Sequence, residues 1–296
     1  MKKNTPSHPK LYKLSLVGIG TLLLLGLIVS FDMQRNTTTN GSPKDTHNVE
    51  SGLLISQGIR NFSFRGREAK NYLGIVVPHH LIASDYIAKG FQAVNLPPKT
   101  IVLLGPNHKD SGNTAVITSM YAWNTEYGAM NPDVEVINEL QGIEFVGVDE
   151  EAVSQEHSIS AIMPFLSYYF PDSYVVPMML DETLEKDQFE VLSRALSKED
   201  FLIVVSTDFS HYLKHPEALE NDKKTLDYIV KRDYQKILGL DNDYLDSSSS
   251  LVLFLMIMDA LEAGKMDIIT HLTSSDIFGD YYLDSITSYY VIGFRK

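Results

Sequence analysis

Three apolar runs in this chain each stop on side chains that can bind a metal or move a proton. LGIVVPHH (73–80) ends at His79 and His80, TIVLLGPNH (100–108) ends at His108, and FLIVVSTDFSH (201–211) ends at Asp208, Ser210 and His211. A fourth segment, QEHS (155–158), adds Glu156 and His157. Neutral imidazole together with carboxylate is a donor set suited to Fe(II), Zn or Cu(II). The chain has no cysteine, which excludes thiolate catalysis, disulfides and Cys-ligated zinc or iron–sulfur centres. Neither a G-x-S-x-G nucleophile elbow nor a G-x-x-x-x-G-K-[ST] phosphate loop is present, so metal chemistry is the strongest reading of these residues.

The runs are short, rich in Val, Ile and Leu, and lack polar alternation, which is the pattern of strands buried on both faces. Helical stretches separate them, so the strands are expected to be parallel. In an open parallel sheet the carboxyl ends share one edge, and ligands bind in the crevice outside it. His79, His108 and His211 are therefore expected to meet in one pocket. Successive side chains of an extended backbone point to opposite sides, so only one of His79 and His80 can face that pocket directly. Asp208 and His211 can act as two ligands or as a carboxylate orienting an imidazole, while a turn or cap role also accounts for Asp208. Glu156 stands at an expected helix start, where the helix dipole alone favours a negative side chain.

The rest of the chain supplies the elements that must position these groups. Helices are expected over 81–94, 134–142, 155–170, 185–200 and 216–233, and strands over 73–77, 100–104, 114–120, 173–180, 201–206, 267–275 and 286–296. SSSSLVLFLMIMDALEAG (247–264) is too apolar for a surface helix and too short between its serines and Gly264 to cross a bilayer, so it reads as a buried helix. The fold class is thus α/β, a single domain with a mostly parallel central sheet flanked by helices. His8, His47, His215 and His271 are assigned no chemistry, the last two being read as surface or structural residues.

Residues 15–31, SLVGIGTLLLLGLIVSF, form an uncharged apolar run preceded by Lys2, Lys3, Lys10 and Lys13. Its length and flanks read as a transmembrane signal anchor with residues 1–14 in the cytoplasm, and 32–51 as a flexible polar tether. The expected domain is then 52–296, a single-pass cell-membrane protein with that domain outside. Beyond residue 50 the chain carries 19 Lys/Arg against 35 Asp/Glu, a net of −16, which argues against nucleic acid as a partner.

Taken together, VPHH, LLGPNH, QEHSISAIMPFL, VSTDFSHY and the late DSITSYYVIGF resemble the Memo family, the B component associated with AmmeMemoRadiSam systems. The resemblance spans most of 52–296. It implies the fold of class III extradiol dioxygenases, non-haem iron enzymes that cleave catechol rings. It also implies that His79 and His108 are metal ligands, that Asp208 and His211 line the same pocket, and that Glu156 and His157 belong to the family's EHS segment. Many members carry a further cysteine ligand, whose place here falls near Ser248. Because a serine hydroxyl is a poor metal ligand, Asp246 substitutes, the coordination shifts to His211, or the metal is held weakly.

The expected activity is that of a non-haem, dioxygenase-like oxidoreductase with a mononuclear pocket. Its metal ligands are His79, His108 and His211, and its catalytic residues are His211, Asp208 and His157. The expected cofactor is a divalent metal ion, iron first, with zinc or copper as alternatives. A metal-dependent hydrolase is the second reading, and a non-catalytic module holding a small-molecule or peptide ligand in the same pocket is the third.

Overall fold

The computed structural model describes residues 46–63, 69–95 and 97–296. Twelve strands run through them: β1 Thr46–Asn48, β2 Gly74–Val77, β3 Thr100–Pro106, β4 Val116–Thr118, β5 Ala122–Thr125, β6 Gly128–Pro132, β7 Val146–Val148, β8 Tyr174–Leu180, β9 Phe201–Ser206, β10 His211–Leu213, β11 Lys265–Thr273 and β12 Ile286–Arg295. They form one sheet in the order β1-β5-β6-β8-β3-β9-β2-β12-β10, with β11 also on β12 and β4 joining β7 to β8. The four central strands, β8, β3, β9 and β2, are mutually parallel. Antiparallel pairs, among them β12 on β2, extend the sheet on both sides. A mixed α/β body with a parallel centre follows directly from the unalternating apolar runs.

Alternation within those strands divides the core between two faces. Val76, Val102, Leu104, Ile203 and Val205 belong to one apolar cluster, in which the helix Ser248–Ala260 supplies Leu251, Phe254, Leu255 and Met258. Ile75, Val77, Ile101, Leu103, Leu202 and Val204 belong to the other, under Ile55, Ile59, Ile87, Phe91 and Phe165. Helices therefore cover both faces of the parallel strands, as such sheets require.

Most expected elements lie within a few residues of those observed, with three informative differences. The single helix expected over 155–170 is two short ones, His157–Ser160 and Met163–Tyr169, with Pro164 in the first turn of the second. Proline has no N–H to donate to the preceding turn, so one continuous helix cannot run through it. The hairpin of β5 and β6 was not expected. Strand β1 begins inside the 32–51 stretch read as a tether, pairing in parallel with β5. Its His47 is buried, with Nε2 2.9 Å from Glu150 Oε2 and 3.1 Å from Ser119 Oγ, and its ring centroid 4.4 Å from that of Trp123.

The expected membrane placement is corrected. Among the described residues no helix is long and apolar enough to cross a membrane. The 15–31 segment on which that expectation rested, and the 1–14 segment before it, lie outside the described residues.

Candidate metal centre

The register of the central strands sets the geometry. Val77 pairs with Ser206 and Pro106 with Leu180, so β2, β3, β8 and β9 end at one edge. His79, His108 and Asp208 leave that edge within two residues of their strands. Gly105 admits a fourth segment. A Cβ there would stand 2.7 Å from Ser158 Oγ, so the glycine lets the EHS helix start seat closely against the end of β3. Glu156 then caps that helix through Ser158 N–H (2.8 Å). The same carboxylate accepts from the His108 backbone N–H (3.1 Å) and pairs with His108 Nδ1 (2.8 Å).

The two strand-end histidines are oriented from behind. His79 is 3% exposed, and its Nδ1 lies 3.2 Å from Ser206 Oγ, whose own hydrogen goes to the Ser158 carbonyl at 2.6 Å. A hydroxyl has one hydrogen to give, so His79 donates at Nδ1, and when the ring is neutral its lone pair is at Nε2. Glu156 imposes the same tautomer on His108, the carboxylate–histidine arrangement typical of metal ligands. Both Nε2 atoms approach Asp246 Oδ2, at 3.2 Å from His79 and 3.7 Å from His108. That carboxylate oxygen is buried and hydrogen-bonded to neither. Its partner Oδ1 is occupied by Thr207 Oγ1 (2.6 Å) and the Asp208 N–H (3.2 Å).

Charge follows this geometry. Burial alone would push the His79 pKa down, but the carboxylates of Asp208 and Asp246 outweigh it and raise it to about 9. His108, also opposed by burial, is raised to about 10 by Asp246 and Glu156. Burial would raise Asp246, yet the two imidazoles hold it far below the usual carboxylate range. Glu156 is likewise held down, to about 2, chiefly by His108. Without a bound cation, protons on the histidines balance the carboxylates.

Two groups of side chains could hold a metal ion, each with its ligating atoms within 4.8 Å: His79 with His108 and His157, and His79 with Asp208 and Asp246. Since Ser206 occupies Nδ1 of the shared His79, only Nε2 remains, and the two groups meet at that nitrogen. His157 stacks on His108 with ring centroids 4.4 Å apart, and its side chain is 53% exposed. The residues fit a metal on chemical grounds. Donors about 2.1 Å from a tetrahedral ion stand about 3.4 Å apart, which matches the two approaches to Asp246.

Not every expected residue converges in this way. His211 joins neither group. Its Nε2 is 4.0 Å from Asp208 Oδ2, and its Nδ1 is buried without a hydrogen-bond partner. Tyr212 beside it has a positive φ of 59°, and β10 is irregular against β12 at this point. Asp208 Oδ1 accepts from the backbone N–H groups of His79 (3.1 Å) and His80 (3.5 Å), tying the VPHH turn to β9. His80 faces away, with Nδ1 2.8 Å from the Tyr289 hydroxyl. Ser248 is turned from the cluster as well, because its hydroxyl bonds Glu182. Sequence reasoning passed over Ser206, Thr207 and Glu182. Their position at or within two residues of the ends of apolar strands β9 and β8 was the available signal.

The Memo-like protein family model matches residues 35–292 of the chain. The chain belongs to the Memo family. Relatives described as MEMO1 family proteins include one from Sulfolobus acidocaldarius, 29% identical over 220 residues, covering 69% of this chain and 77% of the relative. One from Caldivirga maquilingensis is 28% identical over 249 residues, covering 78% and 86%. One from Aquifex aeolicus is 27% identical over 248 residues, covering 81% and 91%. Within this Memo chain, the position expected for the family cysteine carries a serine directed elsewhere, and Asp246 stands beside both strand-end histidines.

Proposed function

We propose that this Memo protein holds a single divalent transition-metal ion, iron(II) first with zinc or copper as alternatives, on His79, His108 and Asp246. The reading rests on one observation: a buried carboxylate oxygen, Asp246 Oδ2, lies beside two imidazole nitrogens and forms a hydrogen bond with neither. Burial of such an oxygen is costly unless positive charge faces it; protonated imidazoles supply that charge in the metal-free chain, and a bound cation would take their place. Two imidazoles and one carboxylate are the donor set of non-haem iron oxygenases. A bound iron would supply redox chemistry toward dioxygen and a chelating small-molecule substrate.

The chain's own residues would do the rest. Ser206 and Glu156 keep both histidine lone pairs directed inward. Half-exposed His157 lines the entrance and is pushed down to about 4 by burial and by the neighbouring His79 and His108, so it stays neutral near pH 7. His211, whose Nε2 stands 4.0 Å from Asp208 Oδ2, is the residue that would take and return a substrate proton. The activity is therefore that of a metal-dependent, dioxygenase-like oxidoreductase.

Elemental analysis of purified protein, followed by anaerobic titration of the metal-stripped chain with Fe(II), tests the reading. One iron per chain is expected. Binding of zinc with exclusion of iron would favour the hydrolytic alternative, in which such a ligand set activates water at about neutral pH. A chain that takes up no metal would overturn the proposal.

A further inference from the structure

Two consecutive hydroxyl residues close β9, Ser206 and Thr207, and both are fully buried. In an extended chain neighbouring side chains point to opposite sides, so the pair serves two different partners. Ser206 takes the Nδ1 hydrogen of His79 and passes its own to the Ser158 carbonyl. Thr207 Oγ1 lies 2.6 Å from Asp246 Oδ1, much closer than its 3.3 Å approach to the Asp208 carbonyl. The Asp208 N–H adds a second bond to the same Oδ1. With Oδ1 saturated, the carboxylate is held in one rotamer, and Oδ2 is left facing His79 and His108.

On the other oxygen, Oδ2, the Asp246 side chain meets only the imidazoles of His79 and His108 among the ion pairs of the described residues. It sits in the turn before the helix Ser248–Ala260, where the chain connection alone leaves χ1 and χ2 free. A donor set must be held within about 0.5 Å of its working geometry to bind well, and hydrogen bonds behind the ligands do this. Resting on the metal reading above, we propose that Thr207 and Ser206 are positioning residues of this site. Thr207 aims the Asp246 carboxylate, and Ser206 fixes the ring of His79 so that Nε2 faces the same point.

The test uses the full chain stripped of metal, titrated calorimetrically with Co(II) and with Zn(II), and the visible spectrum of the cobalt form. Thr207→Val keeps the shape and removes the hydroxyl. It should weaken binding about 10–100-fold, keep one ion per chain, and change the cobalt spectrum. Thr207→Ser should restore both affinity and spectrum. Ser206→Ala should weaken binding within the same range, and it tests the second arm if Thr207→Val does not fold. Cooperative thermal unfolding of each variant shows that it is folded. Wild-type affinity and spectrum in folded Thr207→Val would overturn the inference while leaving the metal site standing. A loss that Thr207→Ser does not restore would overturn it too, since the effect would then follow packing rather than the hydroxyl. A wild-type chain that binds neither ion would remove the metal reading and this inference together.

Discussion

His79 Nε2 and Asp246 Oδ2 stand 3.2 Å apart in the interior, and no hydrogen bond joins them. They come from segments well separated in sequence, the turn after β2 and the turn before the helix Ser248–Ala260. Asp246→Asn preserves the shape and the Thr207 contact but removes the negative charge and, with its carbonyl oxygen on Thr207, turns an NH2 group toward the two histidines. It should weaken Fe(II) and Zn binding by more than the roughly 10–100-fold expected for changes behind the ligands. Calorimetric titration of the stripped protein measures this, and unchanged affinity would remove Asp246 from the ligand set.

The adjacent histidines should separate cleanly. His79→Ala removes the nitrogen shared by both candidate groups and should abolish metal uptake. His80, whose Nδ1 contacts Tyr289, lies outside both groups. His80→Ala should keep one ion per chain and lose at most about 10–100-fold in affinity. Complete loss in both variants would mean that the pair acts as a unit.

Acidity should oppose metal binding, with a definite sign. In the metal-free chain His79 titrates at about 9 and His108 at about 10, so at pH 7 both rings are protonated and an incoming cation must expel those protons. Affinity should rise as pH increases from 6 toward 9. The heat of binding at pH 7 should vary with the ionisation enthalpy of the buffer, reporting proton release. For folding, a raised pKa gives stability that is complete below the unfolded value, about 6.5, and lost as pH climbs through 9 to 10. Metal-free protein should therefore melt at progressively lower temperature over that window, and metal-loaded protein should not. A buffer-independent heat would contradict this.

Asp222 is fully buried, and its carboxylate accepts from Ser210 Oγ, Ser288 Oγ and His271 Nε2, each at 2.7 Å. Asp222→Ala leaves three polar groups without their partner and should cost about 3–5 kcal/mol, as when one member of a buried pair is removed. Because Ser210 adjoins His211, the His211 imidazole resonances should shift in the same variant. Denaturant unfolding measures the first effect and NMR the second. A loss below about 1 kcal/mol would show that water replaces the carboxylate.

Much of the site was legible beforehand because strand burial and chemistry were written in contiguous residues. VPHH, PNH and TDFSH each join an apolar run to its polar end, and parallel pairing sends such ends to one edge. His157 was legible as a member of the pocket but not as a candidate ligand, since its approach to His108 depends on Gly105 admitting the EHS turn. His211 was expected among the ligands, yet it joins neither group of potential metal ligands, its Nε2 standing 4.0 Å from Asp208 Oδ2.

Asp246 marks the boundary between the two kinds of information. Local sequence dictated the α/β class, the parallel centre, the strand ends that carry His79, His108 and Asp208, and the lack of any thiolate donor, because periodicity and residue type act over a few neighbouring positions. Folding alone selected Asp246 over His211 and Ser248 as the third group beside the two histidines. That choice depends on Thr207 and the Asp208 N–H saturating one oxygen of a carboxylate 38 or more residues away, and on Glu182 drawing the Ser248 hydroxyl aside. Ångström-scale distances between remote segments are set by the packing of the whole sheet and its helices, which no short stretch of the chain contains.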